Sequence, residues 1–154
     1  MSTVKIGIAI VERADEFLVG RRDVDAVLGG KAEFPGGKCE DGESPRDCAV
    51  RECREETELD VVASTLLLTH THEYPHAVVE LHFWHCRLVS EHANVPAGSF
   101  RWVSRRELAE LDFPPANADL IQLLLKDETT PTSIAFQSSK SRTKGPGEES
   151  QDQM

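Results

Sequence analysis

Three carboxylates, Glu52, Glu55 and Glu56, crowd one short part of the stretch GGKCEDGESPRDCAVRECREETE, Gly36 to Glu58. On a helix, like charges three or four residues apart destabilise by roughly 0.2 to 0.5 kcal/mol per pair. Carboxylates brought to about 4 Å repel by roughly 4 kcal/mol at an effective dielectric near 20. From Gly37 to Glu58 the chain carries four Lys or Arg against eight Asp or Glu, so the charge is not balanced locally. Arg51 lies one turn before Glu55 and can orient it, but one guanidinium does not neutralise three carboxylates. Hard oxygen donors at this density suit Mg²⁺ or Mn²⁺, which take carboxylates, water and phosphate oxygens. A solvated acidic helix face also accounts for the glutamates, and on their spacing alone it is the simpler reading.

The helix that would carry them can be built from its ends. Ser44 before Pro45 reads as an N-cap and first helical position, with Asp47 placing an acid in the positive first turn. At 100° per residue, Ala49, Val50, Cys53 and Thr57 fall on one side, and Arg46, Asp47, Arg54 and Glu58 spread toward water. Glu52, Glu55 and Glu56 fill a third sector of about 100° that belongs to neither face.

Around them, Gly37, Glu43, Arg51, Glu52, Glu55 and Glu56 stand at fixed separations: five residues between Gly37 and Glu43, then seven, then REC and REETEL. This pattern resembles the Nudix box, the signature of the Nudix hydrolases, which cleave nucleoside diphosphates linked to other groups with a divalent metal. The resemblance implies that Glu52, Glu55 and Glu56 are metal ligands and that Gly37 offers its carbonyl. It implies that Arg51 orients the cluster and that Glu43 assists from the helix entrance. It also implies an α/β/α sandwich around a mixed β-sheet, an α/β (α+β) fold, over about residues 4–125, with Mg²⁺, or Mn²⁺, as cofactor. Glu58 stands where the family has glycine, and a non-glycine residue in a left-handed helix ending costs roughly 1 to 2 kcal/mol. Cys53 replaces an aliphatic residue and acts as a small buried hydrophobe.

Outside the box, Arg21 and Arg22, KAEFPGGK (31–38) and DFPPAN (112–117) resemble the MutT branch, which hydrolyses 8-oxo-dGTP to the monophosphate and pyrophosphate. That resemblance makes Arg22, Phe34 and Asn117 nucleotide contacts and Tyr74 a further pocket candidate. Asn117 has a chemical rationale as well: 8-oxoguanine carries a proton on N7 beside the O6 acceptor, and an amide offers one acceptor and one donor to that pair. Read locally, PPAN is a helix start at which Asn117 caps. The loop also resembles branches that act on pyrimidine triphosphates such as dCTP, and a Nudix-like module that binds without cleaving is a third reading. Ala77 stands where the branch has an arginine, and its loop acid has no clear counterpart; Glu91 is a substitute candidate. His70, His72 and His76 admit a zinc site, although a polar strand end and turn is the simpler account. Phe83 and Trp84 read as core and surface aromatics.

The elements that must position these residues follow from the remaining pattern. VKIGIAIVE and FLVGRR read as strands joined at RADE, LDVVASTLLLTHTHEY and VVELHFWHCRLV as a second pair turning near Pro75. FRWVSRREL reads as a strand entering a helix, and PPANADLIQLLLKD as a final helix opened by prolines. After Lys126 only Ile134, Phe136 and Met154 are large and apolar, which predicts a domain over 1–126 and a disordered tail over 127–154. A chain of 154 residues, 39% apolar, supports one core. A net charge of -10 argues against a nucleic-acid polymer as partner and leaves a nucleoside triphosphate substrate. Signal-peptide layout and membrane-length apolar runs are absent from the sequence, and the four cysteines lack C-x-x-C spacing. A monomer in the cytosol with reduced thiols, and no membrane partner, is the expectation.

Overall fold

The structure is a computed structural model that describes residues 2–90 and 95–126. The chain divides into one compact unit, Met1–Ile121, and a second unit from Gln122, of which residues 122–126 are described. The expected tail, 127–154, and Glu91 lie outside the described residues.

Strand β1 (Ser2–Arg13) organises the sheet. Its alternation puts Ala9 and Val11 on one face and Ile10 on the other, and all three are fully buried. β1 enters a hairpin with β2 (Glu16–Arg21), pairing Glu12 with Phe17. Ala14 and Asp15, at φ 45° and 66°, make the turn, and two positive φ values give the twist that a two-residue hairpin needs. Short strands follow, β3 (Ala32–Glu33) on β2 and β4 (Gly36–Lys38) antiparallel to β1 with Gly37 opposite Gly7. After helix α1 (Pro45–Thr57), strands β5 (Val61–Glu73) and β6 (Ala77–Leu88) form a long antiparallel pair. β6 then runs parallel to β1, from Ser2 opposite Ala77 to Val11 opposite Cys86. With β7 (Arg101–Ser104) on β2, the result is a mixed seven-stranded sheet in the order β3-β2-β1-β6-β5. A short helix α2 (Arg105–Leu108), a 3-10 turn (Pro115–Asn117) and α3 (Ala118–Lys126) complete the mixed α/β fold.

α1 lies on the Ala9 face, where Ala49 and Cys53 join Ala9, Val11, Leu59, Val61, Ala63 and Cys86 in one buried cluster. The approach is close enough that a Cβ on Gly7 would sit 2.5 Å from the Pro45 carbonyl and 2.8 Å from the Ala49 nitrogen. The helix starts where its cap requires, with the Ser44 hydroxyl accepting from the Asp47 N–H at 3.1 Å. It ends on Glu58 at φ 66°, the left-handed position at which the sequence departs from glycine. Thr57 is buried without penalty because its hydroxyl donates to the Cys53 carbonyl at 2.7 Å and accepts from the Leu59 N–H.

Phe83 is fully buried as expected, whereas Trp84 packs partly buried against the α1 cluster rather than standing as a surface aromatic. Two register shifts, at Ala63/Thr65 and Leu66/Leu68, reset which β5 side chains face that cluster. Among the described residues no helix is long and apolar enough to cross a membrane.

Candidate active site

β4 and α1 meet at the carboxylates. Glu52 lies directly over Gly37: a Cβ there would come within 2.5 Å of its carboxyl carbon and Oε2. Only glycine leaves room for this carboxylate against the strand. Glu56 reaches the same strand one residue earlier, accepting from the Gly36 N–H at 3.2 Å. Burial of this carboxyl end pushes the Glu56 acid up to about 7, against the Gly36 hydrogen bond, and the neighbouring charges of Glu52 and Glu33 push it further up. The Glu56 residue as a whole is exposed, so the desolvation belongs to the carboxylate tip turned in toward β4.

Arg51 binds the second half of the cluster. Its guanidinium forks onto Glu43, with Nε to Oε2 at 2.8 Å and a terminal nitrogen to Oε1 at 3.0 Å. The other terminal nitrogen reaches Glu52 at 3.2 Å and Glu55 at 3.1 Å. Arg51 also donates to the Lys38 carbonyl at 3.2 Å, which ties α1 to the end of β4. The bidentate bond from Arg51, and after it the Glu40 N–H, hold Glu43 well down, to about 2. The same partners, Glu43 and then Glu55, push the Arg51 guanidinium further up from an already high value.

Among the described residues no three His, Cys, Asp or Glu side chains converge in a metal-ligating arrangement. Arg51 pairs with Glu43, Glu52 and Glu55 instead, which leaves the cluster net negative. The donors nevertheless fit a hard divalent cation, because carboxylates alternate with a backbone carbonyl and Glu56 has no cationic partner among the described residues. The histidines do not form a site: His72 packs edge-on to Tyr74 at 4.4 Å, and His70 pairs across the strand with Leu81.

The other predicted residues fall into two groups. Phe34, 7% exposed, stacks on Phe113 with centroids 4.9 Å apart. Their loops are tied by the Ala32 N–H on the Asp112 carbonyl at 2.8 Å and by Lys31 on the Asp112 carboxylate at 2.9 Å. Asn117 follows on the same loop, 9% exposed, its backbone N–H on the Pro114 carbonyl at 3.0 Å. Its side chain makes no hydrogen bond among the described residues, so it does not cap the turn. Arg22 is spent locally, donating to the Val27 carbonyl at 2.8 Å and pairing with Glu33 at 3.5 Å. Burial pushes the Glu33 acid up, opposed by Arg22. Tyr74 is 52% exposed at the β5–β6 turn and has no ring contact with Phe34. Glu33 and Phe113 escaped the sequence reading although both lie inside its stretches KAEFPGGK and DFPPAN; Glu33 adjoins Phe34 and Phe113 meets it only in the folded chain, so neither carries a periodic signal that would single it out.

Residues 7–123 match the family model of the NUDIX domain. The 8-oxo-dGTP diphosphatase of Escherichia coli (strain K12) is 35% identical over 129 residues, covering 80% of this chain and 98% of that protein. The CTP pyrophosphohydrolase of the same strain is 29% identical over 128 residues, covering 81% and 93%. In three dimensions, the solution structure of the DNA mismatch repair protein MutT, a Nudix hydrolase from methicillin-resistant Staphylococcus aureus 252, superposes with a TM-score of 0.67 at 29% identity, covering 82% of this chain and 99% of that one.

Proposed function

Because this chain belongs to the NUDIX family and is a nucleotide pyrophosphohydrolase, we propose that its substrate is 8-oxo-dGTP, which it converts to 8-oxo-dGMP and pyrophosphate. The observation that carries this reading is Asn117, a largely buried residue whose side-chain amide makes no hydrogen bond among the described residues, on a loop tied to Phe34. Its amide atoms are not sealed off, since among the described residues it is the Trp84 indole nitrogen that is buried without a partner, so a ligand can still complete the bonds of Asn117. Its oxygen accepts the N7 proton that the lesion has and guanine lacks, while its N–H₂ donates to O6. With guanine, the same oxygen faces a lone pair, and such a mismatch in a buried site discriminates by up to about 10⁴-fold. Phe34 and Phe113 keep that end apolar; Arg22 would have to leave Val27 and Glu33, and Tyr74 the β5–β6 turn, to serve as further nucleotide contacts.

At the phosphate end, Glu52, Glu55, Glu56 and the Gly37 carbonyl are the groups that would hold Mg²⁺ or Mn²⁺. When bound, the ion neutralises phosphate charge and makes a water acidic enough to attack phosphorus. The protein's own part is positional. Arg51, anchored on Glu43, fixes Glu52 and Glu55 in orientation, and β4 presents its backbone with no side chain in the way at Gly37. Removing an oxidised nucleotide before polymerisation places the protein in the cytosolic nucleotide pool as a monomer that limits mutation.

The CTP pyrophosphohydrolase relative supports a second reading, with a cytidine triphosphate as substrate. Pyrophosphate release from 8-oxo-dGTP, dGTP, dCTP and CTP, with Mg²⁺ and with chelator, separates them. The expected result is metal-dependent turnover with 8-oxo-dGTP ahead of dGTP by about 10² or more in kcat/KM. A lead for CTP or dCTP transfers the assignment to the second reading, and binding without any pyrophosphate release overturns both.

A further inference from the structure

β4 and α1 also carry two thiols that hydrolysis leaves unused. Cys39 follows Gly37 by two residues, so strand alternation turns its side chain to the side on which Gly37 meets α1. Its N–H donates to the Lys5 carbonyl at 2.8 Å and keeps this register past the end of β4. Cys48 sits in the first turns of α1, packed so closely on β1 that a Cβ on Gly7 would lie 2.8 Å from its own. Cys39 lies near enough that, after burial, it too pushes the Cys48 thiol up. Cys48 in turn donates to the Gly37 carbonyl at 3.2 Å, and the Arg51 guanidinium lies 4.0 Å from its sulfur. Both cysteines are free, Cys39 partly open to solvent and Cys48 buried.

We propose that Cys39 and Cys48 are an oxidant-responsive modification site that peroxide closes into a disulfide. Cys39, the thiol within reach of small oxidants, attacks one oxygen of hydrogen peroxide. An S–O bond forms, the O–O bond breaks, and the departing hydroxide leaves as water with the Cys39 proton. Cys48 then attacks the Cys39 sulfur: the S–S bond forms, the S–O bond breaks, and the second oxygen leaves as water with the Cys48 proton. Two thiols lose two electrons and one peroxide gains them. The bridge staples the strand end beside Gly37 to the first turns of the glutamate helix and closes the loop that holds Glu43. It also removes the S–H donor from the Gly37 carbonyl. Cys53 and Cys86 are both 0% exposed within the α1 cluster, so the same oxidant does not reach them in the folded chain. This inference is independent of which nucleotide the site prefers.

The full chain is treated with hydrogen peroxide, its remaining thiols are alkylated after unfolding, and it is mapped by trypsin. The expected product joins peptides 39–46 and 47–51 through a disulfide, and free thiols fall from four to two. In chelator the melting temperature rises by roughly 5 °C, and dithiothreitol reverses it. Cys39→Ser, a near-isosteric change at a partly exposed position, shows neither cross-link nor shift. Cys48→Ala, which keeps the position small and apolar, leaves a sulfenic acid on Cys39 that dimedone traps. Oxygen added to Cys39 with Cys48 still free in the unsubstituted chain overturns the proposal, and so does a cross-link through Cys53 or Cys86.

Discussion

As a proposed metal ligand Glu56 would meet two opposing demands, since holding a cation asks it to ionise while burial beside β4 and the charge of Glu52 disfavour it. Its acid is held up to about 7 by burial and by Glu52 and Glu33, against 4.5 in an unperturbed chain. Between these values the folded state binds a proton that the unfolded state has lost, so metal-free stability falls as pH rises through this window. Above about 7 the loss is complete. Glu56→Gln removes the conflict: in chelator the variant should melt roughly 2 to 4 °C higher at pH 8 and little differently at pH 4. Its turnover should drop by orders of magnitude, as one anionic ligand is gone. Equal melting of both proteins at pH 8 in chelator would mean that the carboxylate is not desolvated by β4. Glu43 behaves oppositely, because Arg51 holds it down to about 2, and the stability it contributes is lost only as pH falls toward that value. Asn117 is decided by preference rather than by rate. Asn117→Ala should lose most of the discrimination between 8-oxo-dGTP and dGTP, while dGTP turnover falls far less. Asn117→Asp keeps the acceptor for N7 and sets a second acceptor against O6, a change of about 1 to 3 kcal/mol, or roughly 5- to 150-fold in kcat/KM. Uniform losses across 8-oxo-dGTP, dGTP and dCTP in kinetic assays would reduce Asn117 to a structural residue.

At the scale of elements, α1 shows what could and could not be read beforehand. Its start was legible because Ser44, Pro45 and Asp47 act through bonds three residues apart, and its faces because 100° per residue is a local rule. The N-terminal hairpin and the β5–β6 pair were legible for the same reason, through alternation and turn residues. β3 and β4 were not, because two and three residues are too few to show a period, and β4 exists through its pairing with β1. Likewise the Phe34–Phe113 stack, the pairing of Arg22 with Glu33 and the approach of Cys48 to the Gly37 carbonyl join distant stretches or fold back within a loop, which no pattern rule covers. Two substitutions test the geometry. Glu58→Gly should stabilise by about 1 kcal/mol, seen as a higher urea midpoint at unchanged slope, because φ 66° strains any Cβ. An unchanged midpoint would show that the strain is offset elsewhere. Gly7→Ala should do the reverse, at about 1 to 3 kcal/mol, because its Cβ meets the backbone of Pro45 and Ala49 and neither can rotate away. Turnover should fall with it, since lifting α1 from β1 moves Glu52 off Gly37.

For the whole molecule, an acidic chain of net charge -10 that handles an acidic substrate needs cations on both sides of the encounter. Saturating Mg²⁺ should therefore raise the melting temperature as well as turnover, by about 2.7 kcal/mol of added stability at a hundredfold excess over Kd. The family match ends at residue 123, inside α3, and α3 ends at Lys126. A chain cut after Asp127 keeps both intact. What it loses has three large apolar residues, Ile134, Phe136 and Met154, among Ser, Thr, Gln, Pro, Gly and charge. Ordering one residue costs about 1 to 2 kcal/mol of backbone entropy, and the expectation from this composition is that burial of three such side chains does not offset it. The truncated chain should accordingly melt within about 1 °C of the full chain, and Mg²⁺ should raise both alike. Its kcat/KM should stay within about twofold, a difference of less than 0.5 kcal/mol in the barrier. Calorimetry and pyrophosphate release on the two chains side by side provide the check. A melting temperature several degrees lower after truncation, with the Mg²⁺ increment preserved, would show that Ile134 and Phe136 contribute to the folded domain. A lost Mg²⁺ increment would show that the removed segment supports the glutamate site itself, and a boundary at Lys126 would then be wrong.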